Sequence, residues 1–171
     1  LKEISTDIAK NDPTIERWRV FAECSILRYL HPKVWSSLST AKQGIEIARR
    51  AGDRITQIIL QYYFSMTLYE LGDIEQSENS SRKEYIIANK LQDEMSSMVL
   101  KLNLSSIMCN SSDDQKLNEC DIYASDLIQQ IANPWFSGIG HDARARIRLQ
   151  QGSAEQAETE ARKAYAALSF A

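Results

Sequence analysis

The sequence predicts an all-α protein of antiparallel helix hairpins that recur on a 40-residue period. Three observations carry this. Apolar residues return at helical spacing along nearly the whole chain, and no segment alternates as a strand does. Strong helix formers dominate, with only six Gly and three Pro in 171 residues, too few for a fold of many tight turns. Stop-and-start signs also return at fixed intervals: Gly52-Asp53 and Gln92-Asp93 stand one such period apart, and Gly72-Asp73 and Gly152-Ser153 stand two apart.

In chain order, helices are expected over about 1–10, 14–30, 34–51, 54–71, 74–91, 94–110, 115–132, 135–151 and 154–169. Each break has the chemistry of a helix end. Asn11-Asp12-Pro13 and His31-Pro32 close the first two helices, since the residue before proline is pushed out of helical space. Gly52, Gly72 and Gly152 stop helices, and Asp53, Asp73, Asp93 and Ser153 can accept bonds from the free N–H groups of the next helix. Asn110 to Asp114 and Asn133-Pro134 supply the remaining breaks. Connections of two to five residues make neighbouring helices antiparallel.

Shifting the chain by one period brings four copies into register over 14–53, 54–93, 94–133 and 134–171, after a preceding helix in 1–13. One column reads Ser25, Ser65, Ser105, Ala145, small in every copy. In the second helix of each copy Ser37, Ser77, Leu117 and Ala157 align. Two helices approach closely only where neither projects a bulky side chain, so the small column marks the crossing inside each hairpin. Hairpins repeated in this way bury their apolar faces against their neighbours, and the chain reads as one repeat domain.

At 43% apolar and 25% charged residues the chain has the composition of a soluble globular protein. A net charge of −3, with no basic run longer than a pair such as Arg49-Arg50, gives no footprint for direct nucleic-acid contact. The most apolar stretch, 55–71, carries Gln57, Gln61, Ser65 and Glu70 and is too short and polar to span a bilayer. Cys24, Cys109 and Cys120 form no C-x-x-C and read as buried reduced thiols, which points to the cytoplasm. Asn79, Asn103 and Asn110 begin N-x-S triplets, read as chance matches in a Ser-rich chain. The chain lacks an initiator Met and Leu1 opens inside a helical run, so a segment of a longer protein is expected.

The segments "SMTLYELGDIEQSENSSRKEYIIANKLQD" (65–93) and "ARIRLQQGSAEQAETEARKAYAAL" (145–168) resemble tetratricopeptide repeats, in a 40-residue form rather than the usual period of about 34. "GIEIARRAGD" (44–53) is similar to a second-helix ending of such arrays. Gly44 and Glu84 fall where that pattern has Ala, and Gln61 and Lys101 where it has an aromatic. The resemblance covers about 14–171. It implies a right-handed α-solenoid like the sensor or scaffold regions of large bacterial signalling proteins, maltose-activator-like transcription regulators among them.

The resemblance further implies a concave wall built from the first helix of each hairpin. Carried over position by position, that wall holds Arg19, Ala22, Ile26 and Tyr29, then Ile59, Tyr62, Met66 and Tyr69, then Val99, Leu102, Asn103, Ser106 and Cys109, and finally Asp142, Arg146 and Leu149. Tyr, aliphatic residues and Met suit an adaptable groove for a peptide or helix. For Tyr29 and Tyr69, filling space between hairpins is the favoured reading over groove contact. The basic clamp of chaperone-binding members would need Lys and Asn where this chain has Ala22, Tyr62, Leu102 and Asp142, then Ile26, Met66, Ser106 and Arg146. A chaperone-tail adaptor is therefore not expected.

No phosphate loop, H-E-x-x-H or G-x-S-x-G occurs, and no catalytic residues, metal site or cofactor are expected. In "GHDARAR" (140–146), His141, Asp142, Arg144 and Arg146 are read as crowding one helix start, with Asp142 and Arg146 able to pair four residues apart. Asp113, Asp114, Glu119 and Asp121 form an acidic patch without the Gly and alternating ligands of a calcium loop. The expectation is a non-catalytic segment that binds a protein, a peptide or another domain of its own chain. The alternative is a metabolite sensor controlling an attached ATPase and DNA-binding, kinase or cyclase module. Exposed repeat ends, with Leu1, Ile4, Leu168 and Phe170, could also join two copies.

Overall fold

The computed structural model describes residues 34–130 and 133–169. Among these residues the chain is all-α, with seven helices and no strand. They are α1 (Val34–Arg50), α2 (Arg54–Glu70), α3 (Ile74–Lys90), α4 (Glu94–Met108), α5 (Asp114–Ile128), α6 (Pro134–Gln150) and α7 (Ala154–Leu168). The last seven expected helices are all present, and the largest boundary difference is the end of α5. The helices expected over 1–10 and 14–30 lie outside the described residues, as do Arg19, Ala22, Ser25, Ile26 and Tyr29. No helix among the described residues is long and apolar enough to cross a membrane.

The turns explain the regularity. At four helix ends a left-handed residue closes paired backbone bonds, the 6→1 and 5→2 pattern that satisfies the last carbonyls. After α2, Asp73 N–H donates to Leu68 O and Gly72 N–H to Tyr69 O, both at 3.0 Å. The same pattern follows α1, α3 and α6. The left-handed residues are Gly52, Gly72, Gln92 and Gly152, and Gln92 alone bears a side chain there, at φ 54°. The aspartates at 53, 73 and 93 cap the following helices by accepting from Thr56, Gln76 and Ser96 N–H at 3.1 Å. Ser153 corrects its expected role, since its side chain makes no capping bond. Its backbone N–H instead completes the turn to Arg148 O at 2.8 Å. Asp113 and Asn133 cap α5 and α6, the latter followed by Pro134 at a position where no N–H is needed.

Two compact units divide inside α3, between Ser80 and Ser81. In the first, α1 packs on α2 around Ala41, Ile45, Leu60, Phe64 and Leu68, with Leu38 and Tyr63 against them. The end of α2 meets the start of α3 at two serines: Ser77 Oγ donates to Ser65 O at 2.6 Å, and both side chains are fully buried. That hydroxyl is small enough for a close crossing and gives its own polarity a partner.

In the second unit α4 packs on both α5 and α6, and α6 packs on α5 and α7. The core joins Leu104, Met108 and Cys109 to Leu117, Cys120, Tyr123 and Ala124, and to Ala143 and Ile147, with Tyr85 against it. A Cβ on Gly140 would stand 2.7 Å from the Ala124 carbonyl oxygen, so α5 and α6 touch at backbone distance there. Gly138 lies beneath Leu168, which places the start of α6 against the end of α7 and makes that pair antiparallel. The small column holds: Ser65, Ser105 and Ala145 are buried, as are Ser37, Ser77, Leu117 and Ala157. Ser25 lies outside the described residues.

Candidate functional site

In the first unit, the spacing of Ile59, Tyr62, Met66 and Tyr69 puts all four on one side of α2. Every one is half-buried, whereas Leu60, Phe64 and Leu68 beside them are buried. The helix thus separates a core stripe from a partly open stripe of two tyrosines, an isoleucine and a methionine. Tyr62 stands edge-on to Tyr63 with ring centres 5.5 Å apart, and Tyr63 packs on the core. That contact holds Tyr62 in place, while Met66 adds a flexible, polarisable surface.

The second unit treats its predicted wall differently. Val99 and Ser106 are half-buried on α4, but Leu102, Asn103 and Cys109 are buried. Asn103 is fully covered and donates from Nδ2 to Ser81 Oγ at 2.8 Å. It belongs to the interior rather than to an open wall, with Ser81 of α3 against it. Burial pushes the Cys109 thiol up to about 11 and the Cys120 thiol to about 12, so both stay protonated and unreactive near neutrality. The signal for this was present: "EMSSMVLKLNLSSIM" has apolar residues around its full circumference, the mark of a buried helix.

His141, Asp142, Arg144 and Arg146 lie in the middle of α6, not at a helix start, and they part into three directions. His141 Nδ1 meets Glu160 of α7 at 2.7 Å, and Lys163 reaches the same carboxylate at 2.8 Å. Burial pushes the Glu160 carboxyl up, but the bonds from Lys163 and His141 outweigh it, and it ends below its usual range. Arg144 turns to α5, where its Nε donates to Asp121 at 3.0 Å and its guanidinium to Ser125 at 2.6 Å. Asp142 and Arg146 pair at 2.9 Å, and both side chains are about half exposed. Leu149 is exposed one turn further on.

The acidic patch is likewise divided among separate tasks. Asp113 caps α5 and Asp121 holds Arg144 and Arg148. Glu119 takes both ends of the Arg82 guanidinium at 2.6 Å and a bond from Tyr123 Oη at 2.5 Å. The Arg82 bonds hold the Glu119 carboxyl below the ordinary range, against the effect of burial. Burial and the Glu119 bond push the Tyr123 hydroxyl up. Among the described residues, no group of three His, Cys, Asp or Glu is placed to hold a metal ion. Sequence spacing did not reveal the long-range partners, because Arg82 and Glu119 meet only through the packing of the second unit.

Two departures from the resembled pattern, Gln61 and Lys101, find polar partners. Gln61 Nε2, on a buried side chain, donates to Ser65 at 3.2 Å and to Ser80. Lys101 pairs with Asp126 at 2.6 Å. Beside Lys101 opens a cleft of about 650 Å³, lined by Asn89, Gln92, Asp93, Met98 and Phe136 among others. None of the residues predicted for the concave wall lines it. No protein-family model matches the chain, and no curated protein matches it in sequence.

Proposed function

We propose that the chain is a non-catalytic interaction module, a tetratricopeptide-like α-solenoid serving as a scaffold or regulatory segment of a larger signalling protein. Its contact surface in the first unit is the Ile59–Tyr62–Met66–Tyr69 stripe of α2. The recurrence of one turn, with its left-handed residue at 52, 72, 92 and 152, supports this reading most strongly. A turn repeated at whole multiples of half a period fits a stack of hairpins, an architecture whose extended surfaces bind other chains. The half-open tyrosine and methionine stripe fits an extended or helical peptide. In the second unit, Val99, Ser106, Asp142, Arg146 and Leu149 form the corresponding surface.

Selection from a random peptide library displayed on phage tests the reading. Enriched peptides should lose about tenfold or more in affinity on Tyr62→Ala or Met66→Ala, roughly 1.4 kcal/mol, with the thermal midpoint little changed. A library that yields no binder, or binders indifferent to both substitutions, overturns it.

The cleft beside Lys101 favours a second reading, a small-molecule sensor, since its size falls within the range of ligand pockets. Thermal shift against sugars and nucleotides tests this. A ligand present at 100 times its Kd should add about 2.7 kcal/mol of stability, and Gln92→Trp should abolish the shift by filling the cleft mouth. No shift with either class removes the reading.

A further inference from the structure

The cleft beside Lys101 lies wholly in the second unit, where the α3–α4 turn and the first two turns of α4 meet Gln130 and Phe136. Glu94, Met98 and Lys101 all line it, and their four- and three-residue steps set them in one row on α4. The row carries opposite charges at its ends and a thioether between them. Glu94 is exposed and, among the described residues, in no ion pair. The Lys101 side chain is only 18% exposed, and Asp126 takes one of its three ammonium donors at 2.6 Å. Asp93, the other acid of the lining, is committed to capping α4, where it accepts from Ser96 N–H and Ser96 Oγ.

We propose that the cleft binds a short peptide with both ends free, its ammonium on Glu94 and its carboxylate on Lys101. Distance sets the length. Residues 94 and 101 stand about 10.5 Å apart along the helix at 1.5 Å per residue, and three extended residues span about 10 Å. A single amino acid, with both charges on one carbon, reaches only one end of the row. A nucleotide brings several negative charges to a lining of two carboxylates and one ammonium, and a sugar leaves both ends unmatched. The remaining lining suits a peptide. Met95, Met98 and Phe136 offer apolar contact to a middle side chain, and Asn89, Gln92 and Gln130 bring amides that donate to and accept from peptide groups. Of the four left-handed turn residues, Gln92 alone bears a side chain and alone lines the cleft. Strain of that kind is carried where a side chain clamps a ligand.

The site shares no residue with the α2 stripe and takes neither a sugar nor a nucleotide, so its test succeeds or fails apart from theirs. Equilibrium dialysis of the whole chain against Ala-Leu-Ala and Ala-Phe-Ala is that test, with Kd expected between about 10 and 500 μM. Acetylating the amino end or amidating the carboxyl end should each weaken binding at least about tenfold, because one charged partner is lost. Glu94→Gln, at an exposed position, should weaken the free peptide about tenfold and leave the acetylated one unchanged. Lys101→Met should weaken the free peptide by about as much and leave the amidated one unchanged. Gln92→Gly should weaken binding while raising the thermal midpoint, a split that a purely structural side chain would not give. No uptake of either peptide at about 5 mM overturns the proposal. Equal affinity for free and blocked peptides overturns it as well, as does a loss in Glu94→Gln that is the same for acetylated and free forms.

Discussion

The crossing of α2 with α3 and the crossing of α4 with α5 occupy the same place in the 40-residue register, yet they close it with different atoms. At the first, Ser77 Oγ donates to the Ser65 carbonyl. At the second, the aligned carbonyl of Ser105 receives the thiol of Cys120 at 3.4 Å, while Leu117 stands where Ser77 would be. Residues 117 and 120 are three apart, so they share a helix face and either can supply the donor. The hydroxyls of the small column differ as well. Ser65 Oγ receives Gln61 and contacts Ser80, whereas Ser105 Oγ is buried without a partner. What recurs is smallness at the crossing, which geometry demands; the chemistry around it is free to vary.

Exchanging the aligned residues should give the largest effects. Leu117→Ser empties a packed site and should destabilise the protein by about 3 kcal/mol, within the range for large-to-small core changes. Ser77→Leu crowds a fully buried site and should cost about 2 kcal/mol. Urea unfolding measures both, and values under about 0.5 kcal/mol would mean that the two crossings tolerate each other's residues.

The turns extend the contrast. Gly72 closes the α2–α3 turn in the left-handed region, but Ser112, one period on, is not among the left-handed residues. There Ser111 N–H donates to Met108 O and Ser111 Oγ accepts from Asp113 N–H, a longer connection that avoids the strained conformation. Gly72→Ala should cost about 1 kcal/mol through backbone strain alone, since a Cβ at Gly72 meets nothing within 4 Å. Gln92→Gly should be stabilising by up to about 1 kcal/mol, because it relieves that strain at the one non-glycine position. A loss of stability in Gln92→Gly would show that the Gln92 side chain contributes more than its backbone costs.

The serine column offers the finest comparison. Ser65→Ala should destabilise by about 0.5–1 kcal/mol, because Gln61 and Ser80 lose a partner. Ser105→Ala should be neutral or stabilising by a similar amount, because a buried unpaired hydroxyl is removed. Opposite signs from one aligned column are the expected result; equal signs would mean that size alone governs it.

Acid provides the smallest effect. The Glu119 pKa is lower in the folded chain than in the unfolded one, so its contribution is complete above the ordinary carboxylate range, about 4.3. It is lost as pH falls through the folded value. Unfolding at pH 7 and pH 3 should show a smaller acid loss in Glu119→Gln than in the native chain. Identical losses would mean that the Arg82 pair holds the second unit no better when Glu119 is ionised.

Much of the fold could be read from residues alone. Gly52, Gly72 and Gly152 mark their turns because a left-handed helix stop favours the residue without a side chain, and the aspartates after the first two announce caps. Gln92 fits the same ladder by spacing alone. The surface was less legible. Tyr62 and Met66 are half-buried on one side of α2, whereas Asn103 and Cys109, expected on the same wall, are buried. Helical periodicity assigns residues to a face, and it does not say how many neighbours cover the face.

By itself, then, the sequence determined the helices, their ends and the small residues at their crossings, because propensity, capping and side-chain volume are local properties. Only the tertiary structure decided that α4 is packed on two sides, that Arg82 finds Glu119, and that His141 and Arg144 part toward α7 and α5. Those outcomes depend on contacts between residues distant in the chain, which packing selects and spacing does not encode.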